Sequence, residues 1–264
     1  MSEGSTTIRI AAVGDVHCGR SSPGLLQPLF AEAARAADVL LLCGDLTDYG
    51  TPEEARILVR EREAAGRLPV LAVLGNHDWE SGQVPEVLEI LRTGGVQVIE
   101  GEGAEVLGVG FAGAKGFGGG FGQRTLEPWG EDATKNFVNE SVQEALKLES
   151  GLARLTVPQR VAVLHYAPIQ ETVMGEPVDI FPFLGTSRLE EPINRYKVAA
   201  CFHGHAHRGR PEGRTSAGIP VYNVALPVLK AAWPDQPPLR VVELPVAPPF
   251  QEQRIAERRM TARG

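Results

Sequence analysis

Residues 39–50 read VLLLCGDLTDYG, an apolar run stopped by glycine and followed by two aspartates. A short run of Val and Leu that ends at a turn residue reads as a strand buried on both faces. The same arrangement recurs along the chain. Ile8–Val13 leads into GDVHCG, Val70–Leu74 into GNHDW, Val161–Leu164 into HYAP, and Val198–Phe202 into HGHAH.

Helical patterns separate the early strands. Thr51-Pro52-Glu53-Glu54 offers a Thr cap, Pro at the first helical position and Glu three residues after the cap. That helix is expected to run to about Ala65, with Gly66 closing it. Residues 25–37 and 134–150 also carry apolar positions at helical spacing, the second through Phe137, Val138, Val142, Ala145 and Leu148. The chain therefore begins β-α-β-α-β, an α/β pattern. Later runs around 106–112, 219–225 and 239–244 follow one another with less helix and predict a mixed second sheet. In an open α/β sheet ligands gather beyond the carboxyl ends of the strands. Every polar turn quoted above sits at such an end, so five turns far apart in sequence can meet in one pocket.

Six histidines occur, at 17, 77, 165, 203, 205 and 207, and all fall in these turns. A lone histidine in such a place is ordinarily a hydrogen-bonded structural residue. All six, interleaved with Asp15, Asp45, Asn76 and Asp78, point instead to metal ligation. Imidazole and carboxylate donors suit Mn, Fe, Zn or Co, and the lack of clustered thiolates argues against a structural zinc knot. Asp15-x-His17 and His205-x-His207 would project to one side if their backbone were extended. A carboxylate such as Asp45 has two oxygens and can bridge two cations. Two metals ~3.5–4 Å apart hold the attacking and leaving oxygens of a displacement at phosphorus and lower the pKa of a bound water.

DVH, GDLTD, GNHD, a later single His and GHAH, in that order over residues 14–207, resemble the motif set of the calcineurin-like metallophosphoesterases. The resemblance implies a four-layer αββα sandwich, two mixed sheets flanked by helices. It implies that Asp15, His17 and His207 bind one metal, that Asn76, His165 and His205 bind the other, and that Asp45 bridges them. His77 is similar to the family's catalytic histidine, which assists the leaving oxygen. Asp48 would orient His77 as its hydrogen-bond partner. Asp78 either joins the site or simply fixes its turn. The motif LHYAP departs from many relatives at Tyr166, a change expected to bear on the substrate rim. The cofactors implied are two divalent or trivalent transition-metal ions, manganese first, with iron, zinc, cobalt or nickel as alternatives.

Composition narrows the rest. With 264 residues, 43% of them apolar, the chain is read as one domain over 1–246 and a tail over 247–264. That tail, beyond a Pro-rich stretch at 234–249, reads as solvated rather than as an amphipathic helix. No apolar run approaches the ~18 residues of a membrane span, and the first residues carry no secretory pattern. The three cysteines lack CxxC spacing, and Cys43 and Cys201 lie in apolar runs. A reducing, cytoplasmic setting is expected from that usage. A net charge of −7 opposes stable nucleic-acid binding, which calls for a basic face.

The expected reaction is hydrolysis of a phosphoester, with a lean from the family toward small diesters such as cyclic nucleotides. A phosphomonoesterase, a nuclease and a metal-free scaffold are the alternatives. Cys18 is expected to pack rather than to line the site, and His203 to lie in the core behind it. Gly113–Gly122, GAKGFGGGFG, reads as a mobile surface loop; the P-loop pattern is absent. Lys115, Arg124, Arg20 and Arg208 are candidate phosphate clamps, solvated surface charge being the usual fate of such residues.

Overall fold

The computed structural model describes residues 7–246, so the expectations for the tail lie outside the described residues. The first half runs β1 (Thr7–Val13), α1 (Gln27–Ala36), β2 (Val39–Cys43), α2 (Pro52–Arg62), β3 (Val70–Val73), α3 (Val84–Thr93) and β4 (Val96–Val98). It continues through β5 (Gly103–Val106), β6 (Val109–Ala114), α4 (Asp132–Arg154), β7 (Arg160–Leu164), α5 (Phe181–Leu184) and α6 (Glu190–Arg195). The last elements are β8 (Ala200–His203), β9 (Glu212–Arg214), β10 (Pro220–Asn223), α7 (Leu226–Ala232) and β11 (Arg240–Pro245).

Two mixed sheets result, ordered β11-β1-β2-β3-β4 and β5-β6-β7-β8-β10-β9. β2 and β3 pack against β6 and β7, so the sheets lie face to face. Helix α1 covers β1 and β2, while α4 lies across β5, β6 and β7. That is the expected four-layer sandwich. β1, β2 and β3 are parallel and in register, Ala12 opposite Leu41 and Leu41 opposite Leu71. β2 is buried along its whole length, as its unbroken apolar run requires. Its own Leu40 and Leu42, and Ile8, Ile10, Phe111 and Phe202 from other strands, are buried without exposure, each stabilising the fold by ~1.5–3 kcal/mol of apolar burial.

Helix α2 starts as its sequence dictates. Thr51 accepts from the Glu54 N–H, and the Glu54 carboxylate accepts in return from Thr51 N–H at 3.1 Å. Three expectations need correction. The run at 106–112 is a hairpin, because Leu107 and Gly108 both take positive φ (49° and 82°) and join β5 to β6 through a two-residue turn. The strand at 239–244 does not join the second sheet; as β11 it runs antiparallel to β1, Arg240 opposite Ala12 and Pro245 opposite Thr7. The Gly113–Gly122 stretch is no surface loop. Its first two residues complete β6, and Gly118–Phe121 are buried. Gly119 N–H donates to the Pro182 carbonyl, and Gly120 N–H to that of Gly185. Its glycines serve close packing against α5 rather than motion.

Candidate metal centre

The five turns meet at one end of the two sheets. Asp15 and His17 follow β1, Asp45 and Asp48 follow β2, Asn76 and His77 follow β3, His165 follows β7, and His205 and His207 follow β8. Ligand atoms of Asp15, His17 and His207 lie within 4.8 Å of one another, as do those of Asp45, His165 and His205. His17, Asp45 and His77 form a third such group, which competes with the first two for the description of the site.

Asp45 links the groups. Its Oδ2 stands 3.7 Å from His17 Nε2, and its Oδ1 stands 3.4 Å from His165 Nε2. Asn76 Oδ1 lies 3.0 Å from the same His165 nitrogen. His165 Nδ1 donates to the Cys43 carbonyl at 3.0 Å, which fixes the ring and leaves Nε2 toward the centre. His205 is held differently, its Nε2 donating to the Phe183 carbonyl at 3.1 Å. His207 Nε2 approaches Asp15 Oδ1 at 2.9 Å, and Asp15 also accepts from the His205 N–H.

The donor set is oxygen and imidazole nitrogen, without thiolate, and fits a first-row transition metal. His17 Nδ1 is buried without a hydrogen bond, the nearest carboxylate oxygen, Asp48 Oδ1, standing 3.5 Å away, so one polar atom of the cluster is left unsatisfied. Burial and then neighbouring His165 lower His205 to about 4, favouring the neutral imidazole that ligation needs. Burial alone would raise the Asp15 carboxyl, but His207, His165 and His205 more than offset it and hold it below the ordinary value.

The pairs do not reach their positions through extended backbone. Asp15, His17, Asp45 and His205 all occupy left-handed φ, at 57°, 42°, 46° and 68°. For residues with a Cβ this is strained, on the order of 1–3 kcal/mol each. The expectation from strand alternation is therefore corrected: tight left-handed turns, not a pleat, aim these side chains. Glycines make the turns fit. A Cβ on Gly44, whose φ is +80°, would stand 2.4 Å from His165 Nδ1. One on Gly75 would stand 2.1 Å from Asp45 Oδ1.

His77 sits edge-on to His17, ring centroids 4.6 Å apart. The expected partnership with Asp48 exists in a different form. His77 Nδ1 bonds the main-chain carbonyl of Asp48 at 2.7 Å, while the Asp48 carboxylate faces His17 Nδ1 at 3.5 Å. Burial opposes charging of His77, but the Asp48 carbonyl and the carboxylates of Asp45, Glu80 and Asp48 outweigh it and raise its pKa.

Asp78 fixes its turn. It is fully buried and accepts from the N–H groups of Leu46, Thr47 and Gly75 and from the Thr47 hydroxyl. His203 is in the core, bonded to the Gly204 carbonyl and the Thr172 hydroxyl at 2.8 Å each. Cys18 packs in the core, and burial pushes its thiol up to about 12. Tyr166 is not at the rim; it is buried with its ring 4.3 Å from His205, behind the candidate ligands. Among the candidate clamps, Lys115 is buried, its ammonium over the Phe117 and Tyr166 rings, and Arg20 pairs with Glu53 at 3.0 Å. Arg124 and Arg208 are exposed.

Sequence reasoning missed the segment Gln170–Leu184, which borders His205. Its signal was an apolar content (Val173, Met174, Val178, Ile180, Phe181, Phe183) in a stretch without helical or strand period.

The family model for calcineurin-like phosphoesterases matches residues 8–209. No curated protein matches the chain. Among solved structures it is similar to the phosphopantetheinyl hydrolase of Mycobacterium tuberculosis, with a TM-score of 0.65 at 15% identity over 88% of this chain and 95% of that one. A Thermus thermophilus protein gives 0.54 at 13% identity, over 92% and 100% respectively. A putative 5'-nucleotidase from Staphylococcus aureus gives 0.51 at 18% identity, over 83% of this chain and 48% of that one. At such identities the likeness is one of fold.

Proposed function

The chain belongs to the calcineurin-like phosphoesterase family, and as such is a metal-dependent phosphoester hydrolase; we propose that it acts on small phosphate diesters at a two-metal centre. Asp15, His17 and His207 would hold one ion, Asn76, His165 and His205 the other, with Asp45 shared. The observation that carries this is the division of the Asp45 carboxylate, one oxygen toward His17 and the other toward His165. When bound, the cations supply charge neutralisation at the phosphoryl oxygens and acidify water.

The chain's own residues do the rest. His77, held by the Asp48 carbonyl and biased toward its protonated form, donates a proton to the leaving oxygen. Asp48 keeps His17 aimed through its carboxylate. The preference for diesters over monoesters comes from the family, and one feature supports it: Lys115 is buried behind Tyr166, so it does not help to neutralise the second charge of a monoester dianion.

Manganese-loaded protein offered p-nitrophenyl phosphate, bis-p-nitrophenyl phosphate, and 2′,3′- and 3′,5′-cyclic nucleotides tests the reading. Faster turnover of the diesters is expected. Preference for the monoester would overturn the diester assignment, and inertness toward all of them would overturn the function itself.

A further inference from the structure

The segment Gln170–Leu184 is clamped to the metal turn at several points. The Phe183 carbonyl accepts from His205 Nε2, the Glu176 carboxylate accepts from the Arg208 N–H at 2.7 Å, and the Thr172 hydroxyl bonds His203. Against the usual economy of surfaces, this strap exposes large apolar side chains beside the site. Val178 is 74% exposed, Phe183 59%, Met174 41% and Ile180 38%. Isolated exposed apolar residues need no explanation, but a concentration of them at a polar site marks a recognition surface.

An aromatic layer continues the strap inward. The Phe183 ring meets Phe137 edge-on at 6.0 Å, Phe137 meets Phe117 at 4.9 Å, and Phe117 meets Tyr166 at 5.8 Å. Tyr166 in turn packs on His205. Across the centre, Trp79 is 46% exposed on the turn that carries Asn76 and His77. The ionic residues of the strap are all acidic: Glu171, Glu176 and Asp179. Two of them are taken up locally, Glu176 by the Arg208 N–H and Glu171 by the Arg214 N–H, and the apolar side chains offer nothing to a sugar phosphate or a second charged group.

Resting on the phosphodiesterase reading, we infer that the substrate carries an uncharged apolar organic group and that this group lies against the Met174–Phe183 strap. Aromatic and aliphatic groups share the required chemistry. Phe183, bound to His205 through its carbonyl and joined to the aromatic layer through its ring, and Val178, the most exposed apolar residue of the strap, are assigned as the specificity-determining side chains.

The test uses the full chain loaded with manganese and three diesters with one leaving group: p-nitrophenyl phosphates carrying methyl, phenyl or octyl as the second substituent. Constant leaving-group chemistry isolates the second group. Phenyl or octyl should raise kcat/KM over methyl by about tenfold or more, through KM. A larger gain for phenyl identifies stacking as the source, and a larger gain for octyl identifies aliphatic burial. Val178→Ser and Phe183→Ser should each pull the phenyl-to-methyl and octyl-to-methyl ratios toward one. Calorimetric binding of methyl-, phenyl- and octylphosphonate, which cannot be hydrolysed, should show the same order.

Equal kcat/KM for all three diesters, or ratios unmoved by both substitutions, would overturn the inference while leaving phosphodiester hydrolysis in place. If no diester were turned over, the function would fall separately, and the phosphonates would still decide. Tighter binding of the apolar phosphonates would support the strap, and equal binding would refute it.

Discussion

His77 donates from Nδ1 to the main-chain carbonyl oxygen of Asp48 across 2.7 Å. A carbonyl survives any side-chain change at position 48, so the two residues separate cleanly by mutation. His77→Ala should retain both metals and lose about 10²–10⁴ in kcat, the range of a general acid. Asp48→Asn should lose less than His77→Ala, since the orienting hydrogen bond to the carbonyl remains and only the carboxylate beside His17 changes. Metal content by elemental analysis and kcat on one diester decide the matter. Equal losses for the two variants would return the orienting role to the Asp48 carboxylate.

Asp45 presents its oxygens to opposite sides of the centre. Asp45→Ala is therefore expected to reduce metal content at both positions together, whereas His207→Ala should empty one position first. Titration with manganese followed by elemental analysis distinguishes the two patterns.

Gly75 allows the turn after β3 to pass close to Asp45. In Gly75→Ala a Cβ would fall 2.2 Å from the Asp45 backbone nitrogen, so backbone must shift. Overpacking of this kind costs ~1–3 kcal/mol. Denaturant titration should record that loss, and metal content should drop with it because Asp45 is displaced.

Glu61, which ties α2 to the Gly24–Gln27 turn, supplies a pH dependence of the fold. Burial raises its carboxyl, but N–H groups of Gly24, Leu26 and Gln27 and the Gln27 side chain more than offset this and hold its pKa below the usual glutamate value. A depressed folded-state pKa contributes stability that is complete above the unfolded value and lost as pH falls through the folded one. Stability should therefore decline below about pH 4.5. Glu61→Gln should weaken the fold near neutral pH and show a shallower acid decline in chemical denaturation.

The capping box of α2 is a purely local contribution. Thr51→Ala removes the acceptor for the Glu54 N–H and should cost ~1 kcal/mol, read from the denaturation midpoint.

Much of this was legible from residue order, for a physical reason. β2, β3, β7 and β8 are buried along most or all of their length and β1 along its second half, so each is written with an apolar run, and each ends in the turn that carries the chemistry. Elements with fewer buried positions were silent. β4 and β9 have three residues each, too few for a period. β11 alternates half-buried and exposed residues, a pattern that announces a strand without saying which edge it joins; its partner, β1, lies at the other end of the chain. The left-handed turns at Asp15 and Asp45 were hidden because aspartate there reads as an ordinary strand end. Lys115 looked like surface charge, yet it is buried, and that burial pulls its pKa below the ordinary lysine value although Glu144, Glu140 and Glu100 oppose the shift. The strap beside His205 stayed invisible because exposed apolar residues without periodicity resemble any loop.

Anomalous diffraction from crystals grown with manganese tests the central claim most directly. The expected result is two peaks, one against Asp15, His17 and His207 and one against Asn76, His165 and His205, with the Asp45 carboxylate reaching both. A single peak enclosed by His17, Asp45 and His77 would contradict it, because the histidine assigned to proton transfer would then be a ligand.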